Sequence, residues 1–339
     1  MESEPLPEYH LIQQQHPFDS LQCLQLPPRF VASPKPSVKD QPPTKVVLPR
    51  KRLNPQTPSP SSTCPTPKNA TQPATPTLNR RLCNLDFILA ILRTTKSKSV
   101  SELYDKCLAH EYRAIVNMGN DYHFLLNSAL EVYIKEELDA QRAGLWDYAI
   151  QLAINVTPDP KQFDVLNYIF HNNNIDPAEF ALNLKCVLNK EKIKLNSLRM
   201  IGVPNSGKTL IANCIVQPFI TCYMNNHASE NEFYLSNMLN KSIILCEELY
   251  MTTATAEDFK SVLGGQQLSV SKKHQEKQDL LRTPVIITSN YSKFGRGHLP
   301  ATDENALSLR CFNYYFKSEV RPTCIVEWPQ LYLYLYAHV

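Results

Sequence analysis

Apolar residues are distributed unevenly along this chain and divide it into four stretches. Residues 1–80 show no apolar periodicity and are rich in Pro, Ser, Thr and Gln. Such a stretch buries too little apolar surface to offset the entropy of ordering, so we expect a disordered tail. Residues 81–190 have helical apolar spacing, and residues 191–320 alternate apolar runs with helical segments. The last stretch, residues 321–339, is aromatic and amphipathic, and we expect it to pack against the rest of the chain.

The second stretch predicts successive helices. Ser99 and Glu102 form a capping-box pattern at the start of one helix. Asp176-Pro177 combines a capping residue with a first-turn proline at the start of another. We see no catalytic constellation here. Oligomerisation is the role we expect of this helical region. The predicted helices span residues 84–93, 99–110, 120–142, 145–154, 162–172 and 177–189.

The third stretch has a different pattern, in which short apolar runs alternate with helical segments. This alternation predicts a parallel α/β core. Gly264-Gly265 ends one predicted helix, and the run from Gln267 to Lys277 predicts a strand that enters a basic hairpin tip. The predicted core strands span residues 198–203, 241–248, 283–290 and 311–316, and the predicted helices span residues 209–216 and 257–263.

The first core strand leads into a phosphate-loop motif, G-x-x-x-x-G-K-[ST], that matches at every position. Backbone N–H groups of such a loop and of the following helix N-terminus favour an anion. Gly207 allows close approach of the backbone to phosphate, Lys208 can reach the β- and γ-phosphates, and the Thr209 hydroxyl can ligate Mg²⁺. The motif predicts ATP and Mg²⁺ as ligands, and the correct flanks disfavour a chance match in a turn. The predicted nucleotide-binding residues are Gly202, Pro204, Asn205, Ser206, Gly207, Lys208 and Thr209.

Two other strand ends carry polar residues. Glu247 and Glu248 end the strand that lies 39 residues after Lys208. One acid of such a pair can hold the magnesium shell, and the next can polarise the attacking water; we predict Glu247 with Thr209 for the metal and Glu248 for catalysis. Asn290 ends a further strand and can hydrogen-bond the γ-phosphate or the water. The alternative for the acid pair is an exposed strand cap.

Cysteine usage and hydropathy exclude some classes of protein. Ten cysteines are scattered without a C-x-x-C pair or a Cys/His cluster at zinc spacing, so we expect reduced thiols in an intracellular protein. No apolar run approaches the length of a membrane span, and we expect no membrane partner.

Charge and proline are concentrated near the N-terminus. Residues 20–81 carry ten Lys and Arg against one acid, Asp40, and 17 of the 26 prolines precede residue 81. Pro49-Arg-Lys-Arg52 is a compact basic cluster of the kind that nuclear import reads. We therefore expect a nuclear location, with a solvated linker as the alternative.

The motifs taken together resemble those of superfamily III helicases, and most closely those of the parvovirus large non-structural (Rep) proteins. The shared order is phosphate loop, acidic pair, helix, Leu-Gly-Gly, hairpin, Thr-Pro-Val-Ile strand, and an arginine before an aromatic strand. The resemblance covers roughly residues 162–316. It implies a P-loop ATPase core of the AAA+-like, superfamily III type, which unwinds or translocates DNA as a homo-oligomeric, hexameric ring during viral replication in the host nucleus.

The resemblance also implies roles for individual residues. Arg310 matches the arginine finger that is donated to the ATP of a neighbouring subunit, and Asn290 matches the polar sensor. Lys273 matches a hairpin lysine that contacts single-stranded DNA in the channel. The predicted DNA-binding residues are Lys272, Lys273 and His274.

The sequence departs from the family pattern in several places. None of the nine histidines lies in a His-hydrophobic-His pair, so we expect neither an origin-binding nuclease domain nor a nicking activity. The second basic residue of the hairpin is Gln275 here, which weakens the expected grip on DNA. This layout fits a Rep-like accessory protein of a larger DNA virus, such as an avian adenovirus.

Two functions from different classes remain open at this point. The first is an ATP-dependent DNA helicase or translocase, with viral or host replication proteins as further partners. The alternative is a nuclear regulator that keeps the helicase fold and binds DNA or proteins without productive unwinding. ATPase activity stimulated by single-stranded DNA distinguishes them, and the intact nucleotide motif favours the enzyme.

Overall fold

The computed structural model describes residues 76–224, 234–272 and 275–339. Residues from Asn79 to Val339 form a compact unit. Nearly all of the predicted disordered tail, including the basic cluster at residues 49–52, lies outside the described residues.

A five-stranded parallel sheet forms the centre of this unit, in the order β2-β3-β6-β1-β7. Two of the three interior strands, β1 and β6, are buried almost throughout, as expected for a parallel sheet covered on both faces. The mixed α/β class with a parallel sheet, predicted from the sequence, is therefore confirmed. The strands are β1 Ser197–Gly202, β2 Thr221–Met224, β3 Ile243–Glu247, β6 Val285–Ser289 and β7 Cys311–Phe316.

Three helices and a hairpin are inserted between these strands. The antiparallel hairpin precedes β6 and therefore lies towards the amino end of that strand. The intervening elements are α8 Lys208–Val216, α9 Ala256–Leu263, β4 Leu268–Lys272, β5 Gln275–Leu280 and α10 Ala301–Ser308. The sequence did not predict β2, which is only four residues long, or α10, in which Leu307 is the one buried residue.

Helices precede the sheet. The predicted end of the helix at residues 99–110 is wrong, because α2 already stops at Lys106. Cys107 and Leu108 adopt extended backbone angles, and a separate helix follows them. The Glu111 carboxylate accepts a hydrogen bond from the Leu108 amide at 2.9 Å and so supports this new start. The helices are α1 Pro76–Thr95, α2 Val100–Lys106, α3 Ala109–Val116, α4 Tyr122–Ala140, α5 Leu145–Ala153, α6 Pro160–Asn172 and α7 Pro177–Leu188.

The predicted caps of these helices are present. The Ser99 hydroxyl accepts from the Glu102 amide at 3.1 Å, while the Glu102 carboxylate accepts from the Lys98 amide. The Asp176 carboxylate accepts from the Ala178 amide at 3.1 Å and from the Glu179 amide at 3.4 Å. Both side chains satisfy N–H groups that a first helical turn leaves without partners.

A last helix, α11 Trp328–Tyr336, joins the helices to the sheet. It packs against α5, α6, α7 and α8, and its residues from Pro329 to Leu335 are buried. The Tyr332 hydroxyl donates to the Ile215 carbonyl of α8 at 2.8 Å. No helix in the described part of the chain is long and apolar enough to cross a lipid bilayer.

Lys98, which lies between α1 and α2, is a second link from the early helices to α8. Its amine donates to the carbonyls of Gln217 and Phe219, both at 2.6 Å, just beyond the end of α8. A cation at this position also interacts favourably with the helix dipole. Burial nevertheless lowers the pKa of Lys98 to about 8, and the Glu102 carboxylate opposes this shift.

We predict a pH dependence of stability from this lysine. Folded Lys98 loses its proton near pH 8, whereas the unfolded residue keeps it to about 10.5, so the unfolded state binds more protons between these values. The free energy of unfolding of wild type should therefore rise with pH over this window relative to Lys98→Met. Urea unfolding between pH 7.5 and 10.5 measures the difference.

Other buried groups also titrate in this pH range. The prediction therefore concerns the difference in unfolding free energy between wild type and Lys98→Met, not the wild-type value alone. Lys161→Met, at an exposed lysine of α6, is the matched control. A difference between wild type and Lys98→Met that is constant with pH would contradict the prediction.

Candidate functional site

The phosphate loop leaves the carboxyl end of central strand β1 through a close approach to β7. Gly202 has φ +148°, and a Cβ there would lie 1.8 Å from the Phe316 carbonyl oxygen. The Val203 amide donates to that same oxygen at 3.0 Å. Position 202 therefore requires glycine, both for its backbone angle and for the space.

The loop presents a run of free amide groups. Within the described part of the chain, no N–H from Asn205 to Leu210 donates to another backbone group. Positive φ angles at Asn205 (57°) and Gly207 (92°) shape this run. A concave row of free N–H groups that continues into a helix N-terminus is a favourable environment for phosphate oxygens.

Lys208 lies within the loop rather than on the surface, and is only 5% exposed. Its amine donates to the Gly202 carbonyl at 3.0 Å, the Val203 carbonyl at 2.5 Å and the Ser206 hydroxyl at 3.1 Å. Burial lowers the pKa of Lys208, and the Glu248 carboxylate opposes this shift. The amine is thus held at the loop by weak neutral acceptors that an anionic ligand can replace.

The phosphate loop is held by two other segments, the end of α6 and the segment after β7. A Cβ on Gly207 would lie 3.2 to 3.3 Å from Ile169 side-chain atoms of α6. Buried Asn173 donates to the Ile169 carbonyl at 2.8 Å and accepts from the Ser318 amide at 3.0 Å. The Val320 amide donates to the Asn205 carbonyl at 2.7 Å. The end of α6 and the segment after β7 therefore fix the loop.

The two acids at the end of β3 differ in environment. Glu247 is exposed at the strand end, whereas Glu248 is half-buried. Glu248 has φ +50°, a conformation that costs energy in a residue other than glycine. Its carboxylate accepts from the Asn290 amide at 3.1 and 3.2 Å through its two oxygens, and its charge acts on Lys208. Glu248 is therefore the acid that the structure brings close to both the loop and Asn290.

Asn290 follows β6, and its side chain is exposed. Because β1, β3 and β6 are parallel neighbours, the loop, the acids and Asn290 share one edge of the sheet. Carboxyl ends of adjacent parallel strands are the usual location of ligand sites in open α/β sheets.

Arg310 lies at the opposite edge. It precedes β7, whose first residue pairs with Ser197, while Gly202 pairs with Phe316 at the other end. Along the strand this separates Arg310 from the phosphate loop by about 20 Å. The Nη1 atom of Arg310 donates to the Ala306 carbonyl, and its buried Nε has no hydrogen-bond partner among the described residues. Asp303 pairs with Lys260 at 2.9 Å rather than with Arg310.

The predicted DNA-binding residues fall where the sequence passes from β4 to β5. Lys272 ends β4, and only its backbone is described; Lys273 and His274 lie outside the described residues. The register pairs Lys272 with Gln275 across the tip.

Sequence reasoning assigned no role at this site to four residues that contact its loops. Arg199 on β1 and Glu304 on α10 contact the loop after Asn290, and Asn173 and Ser318 support the phosphate loop. A charge within an otherwise apolar strand, as in Leu198-Arg199-Met200, was an available signal for Arg199. Glu304 and Ser318 lie in polar stretches that carry no such signal.

The residues at the loop edge fit a magnesium nucleotide. Free amides and a lysine offer donors to phosphate, and a threonine hydroxyl with a carboxylate offers oxygen ligands to Mg²⁺, which typically takes one or two carboxylates plus phosphate oxygens. Within the described residues no group of three or more His, Cys, Asp or Glu could hold a metal ion.

Comparisons with known proteins agree with this geometry. A family model described as parvovirus non-structural protein NS1 matches residues 99–292. Initiator protein NS1 of Primate bocaparvovirus 1 (strain Human bocavirus 1 type 1) is 28% identical over 215 residues, which cover 58% of this chain and 26% of that protein. Protein Rep52 of adeno-associated virus 2 is 34% identical over 124 residues, 36% of this chain and 30% of that protein.

A solved structure of JCV helicase with a bound thiazolopyridine acetamide has a TM-score of 0.50 at 13% identity. The match covers 74% of this chain and 85% of that one. Likeness at this identity concerns the fold alone. The chain spans less than a third of the length of the two curated relatives, so what the whole relatives do bears on it only as a proposal.

We predict that Gly202→Ala is strongly destabilising. The positive φ alone costs roughly 1–3 kcal/mol in a residue with a Cβ, and the clash with the Phe316 carbonyl must also move β7 or the loop. Guanidinium unfolding gives the free energy. Gly119→Ala is the matched control, because Gly119 also has a positive φ (121°) but nothing within 4 Å of its Cβ position. An equal loss in both variants would mean that the close approach to β7 does not matter.

Proposed function

The chain belongs to the parvovirus non-structural protein NS1 family, and we propose that it is an ATP-dependent DNA helicase or translocase of the superfamily III ring type. One observation carries this proposal: a phosphate loop with six consecutive free amides lies at the same sheet edge as Glu248 and Asn290. This is the arrangement that nucleotide hydrolysis needs, since phosphate donors and a water-orienting group must converge on one point.

The first proposed role is binding of the triphosphate and its metal. Backbone amides from Asn205 to Leu210 donate to phosphate oxygens. The Lys208 amine gives up its hydrogen bonds to the loop carbonyls and binds the β- and γ-phosphates instead. Thr209, which is exposed at the start of α8, holds Mg²⁺ together with Glu247. The metal supplies charge neutralisation on the phosphate oxygens.

The second proposed role is orientation of the attacking water. Both oxygens of the Glu248 carboxylate accept from the backbone N–H of Asn290, so the two residues are held next to each other. The Glu248 carboxylate holds the water and takes up its proton. The side-chain carboxamide of Asn290 orients the water or the γ-phosphate. The left-handed backbone at Glu248 is the kind of local strain that is retained at functional sites.

Arg310 has the third proposed role, in a neighbouring subunit. It lies at the sheet edge away from its own phosphate loop, so it can serve as an arginine finger only towards another copy. A guanidinium fork can meet the γ-phosphate oxygens bidentately as charge develops. The proposal therefore includes a homo-oligomer, with a hexameric ring as its expected form.

Single-stranded DNA is the proposed substrate along which the protein translocates. Lys272, Lys273 and His274 follow one another in sequence where the chain passes from β4 to β5, in the hairpin that precedes β6. Basic side chains suit contacts with a sugar–phosphate backbone. We place this activity in viral DNA replication in the host nucleus, with viral or host replication proteins as partners, and we propose no nicking reaction for these 339 residues.

The first test of the proposal is Lys208→Ala. Magnesium-dependent ATP hydrolysis should fall by at least about 100-fold, the scale for removing a preorganised electrostatic donor. Hydrolysis is measured with and without single-stranded DNA, and the melting temperature verifies the fold. Lys161→Ala, at an exposed position of α6, is the matched control. A wild type without ATPase above Lys208→Ala would refute the enzyme and favour the non-catalytic regulator.

A second test concerns Arg310. Arg310→Ala should still bind ATP but hydrolyse it on the order of 10³-fold more slowly. Arg310→Lys keeps the charge without the planar fork and should rescue only part of the rate. Equilibrium dialysis with a non-hydrolysable ATP analogue separates binding from turnover.

Mixing two inactive variants tests whether Arg310 acts between subunits. Lys208→Ala retains the finger, and Arg310→Ala retains the pocket, so one complete site forms wherever the first lies beside the second. Partial ATPase should return on mixing and increase with protein concentration. No recovery in oligomers shown to contain both variants would place Arg310 outside catalysis in trans.

A further inference from the structure

Central strand β1 contains a buried arginine. Arg199 is 2% exposed and lies between the fully buried Leu198 and Met200. None of the ion pairs in the described residues includes it, and its Nε has no hydrogen-bond partner. A guanidinium in such a place is costly, because desolvation of the charge is not offset by a paired carboxylate.

The contacts of Arg199 lead to one loop. Its Nη2 donates to the Tyr291 carbonyl at 2.9 Å, and its guanidinium carbon lies 3.7 Å from the centroid of the Phe294 ring. Both partners belong to residues 290–295, the loop that starts with Asn290. A planar, always charged group can satisfy a carbonyl and stack on an aromatic face at the same time.

Glu304 of α10 holds the same loop from another side. Its carboxylate accepts from the Phe294 amide at 2.9 Å and from the Gly295 amide at 2.7 Å. Its charge also acts on Arg199. The Met251 amide, beyond the β3 acids, donates to the Phe294 carbonyl at 3.1 Å. Strand β1, helix α10 and the segment after β3 therefore all contact the loop between Asn290 and Gly295.

Stability alone does not explain this arrangement. A strand between two sheet neighbours would be at least as stable with an apolar residue at position 199, since replacing a buried charge by a packed apolar side chain is often neutral or stabilising. What only Arg199 provides is a directed donor to the first carbonyl after Asn290. The neighbouring residue, Asn290, is itself fixed through its amide by Glu248.

We propose that Arg199 and Glu304 are positioning residues that fix the loop after Asn290 and so place the Asn290 side chain for ATP hydrolysis. The inference rests on the proposed function and deepens it, because it names residues outside the nucleotide motifs on which turnover depends. Neither residue touches the nucleotide; each acts through the backbone of residues 290–295.

The test compares Arg199→Met, Arg199→Lys and Glu304→Gln with wild type. A displacement of about 1 Å at a catalytic group can cost on the order of 100-fold in rate. We therefore expect kcat for ATP to fall by about 10- to 100-fold in Arg199→Met, while KM and the Kd of a non-hydrolysable analogue stay within about twofold. Arg199→Lys should recover little, because it lacks the fork, and Glu304→Gln should have an intermediate kcat. Asn305→Ala, exposed on the same helix, is the matched control and should keep the wild-type kcat.

A purely structural role predicts a different pattern. In that case Arg199→Met would lower the melting temperature, and its kcat per folded molecule would match that of wild type. This outcome would overturn the proposal. Arg199→Met with an unchanged melting temperature and a reduced kcat at constant KM would support it.

Amide hydrogen exchange separates failure of this inference from failure of the proposed function. With the non-hydrolysable analogue bound, residues 290–295 should exchange at least about tenfold faster in Arg199→Met than in wild type, while residues of α8 should not change. A wild type without ATPase would refute the helicase function, yet the exchange result would still decide whether Arg199 fixes the loop. Unchanged exchange at residues 290–295 would overturn the inference, whatever the activity.

Discussion

Parallel pairing of β1 with β6 on one side and β7 on the other determines where each candidate group can lie. Because the strands share one direction, the phosphate loop, the β3 acids and Asn290 emerge at one edge of the sheet. The residue before β7, Arg310, emerges at the other edge by the same rule. One register therefore places the phosphate loop, the β3 acids and Asn290 at one edge and Arg310 at the other. On the proposed function, a finger role for Arg310 requires a second copy of the chain because of strand direction, not because of any side-chain detail.

Support of the site comes from elements that lie far apart in sequence. Ile169 and Asn173 at the end of α6 touch the phosphate loop from one side, and the segment after β7 touches it from another through Val320. Lys98 and α11 then connect α8 to the preceding helices. The phosphate loop is held in place by contacts to its carbonyl oxygens and to its Cα atoms. Six of its backbone amides can therefore remain free of internal partners.

The sequence predicted the α/β class, most element positions and the phosphate loop because these depend on local patterns: apolar runs, caps and a motif with fixed spacing. It did not predict α10, where polar residues hide any periodicity, or the break at Cys107, where the apolar pattern continues through a change in backbone angle. The roles of all predicted site residues stay predictions, since they depend on a nucleotide, a neighbouring subunit and DNA; these include Lys208, Thr209, Glu247, Glu248, Asn290, Arg310 and the hairpin residues 272–274. Residues such as Glu304 cannot be found from the sequence for a different reason. The proposed role of Glu304 depends on its hydrogen bonds to backbone amides, and such contacts leave no pattern in the sequence.

The Arg199 and Glu304 contacts join two edges of the sheet that strand direction separates. Glu304 binds the loop after Asn290 at the nucleotide edge, and it lies on α10, the helix that leads within six residues to Arg310 at the opposite edge. Through α10, the residue proposed as the finger is thus tied to the same loop that Arg199 holds from β1. On the proposed function, one short helix therefore links the loop beside the proposed catalytic groups with the group offered to a neighbouring subunit.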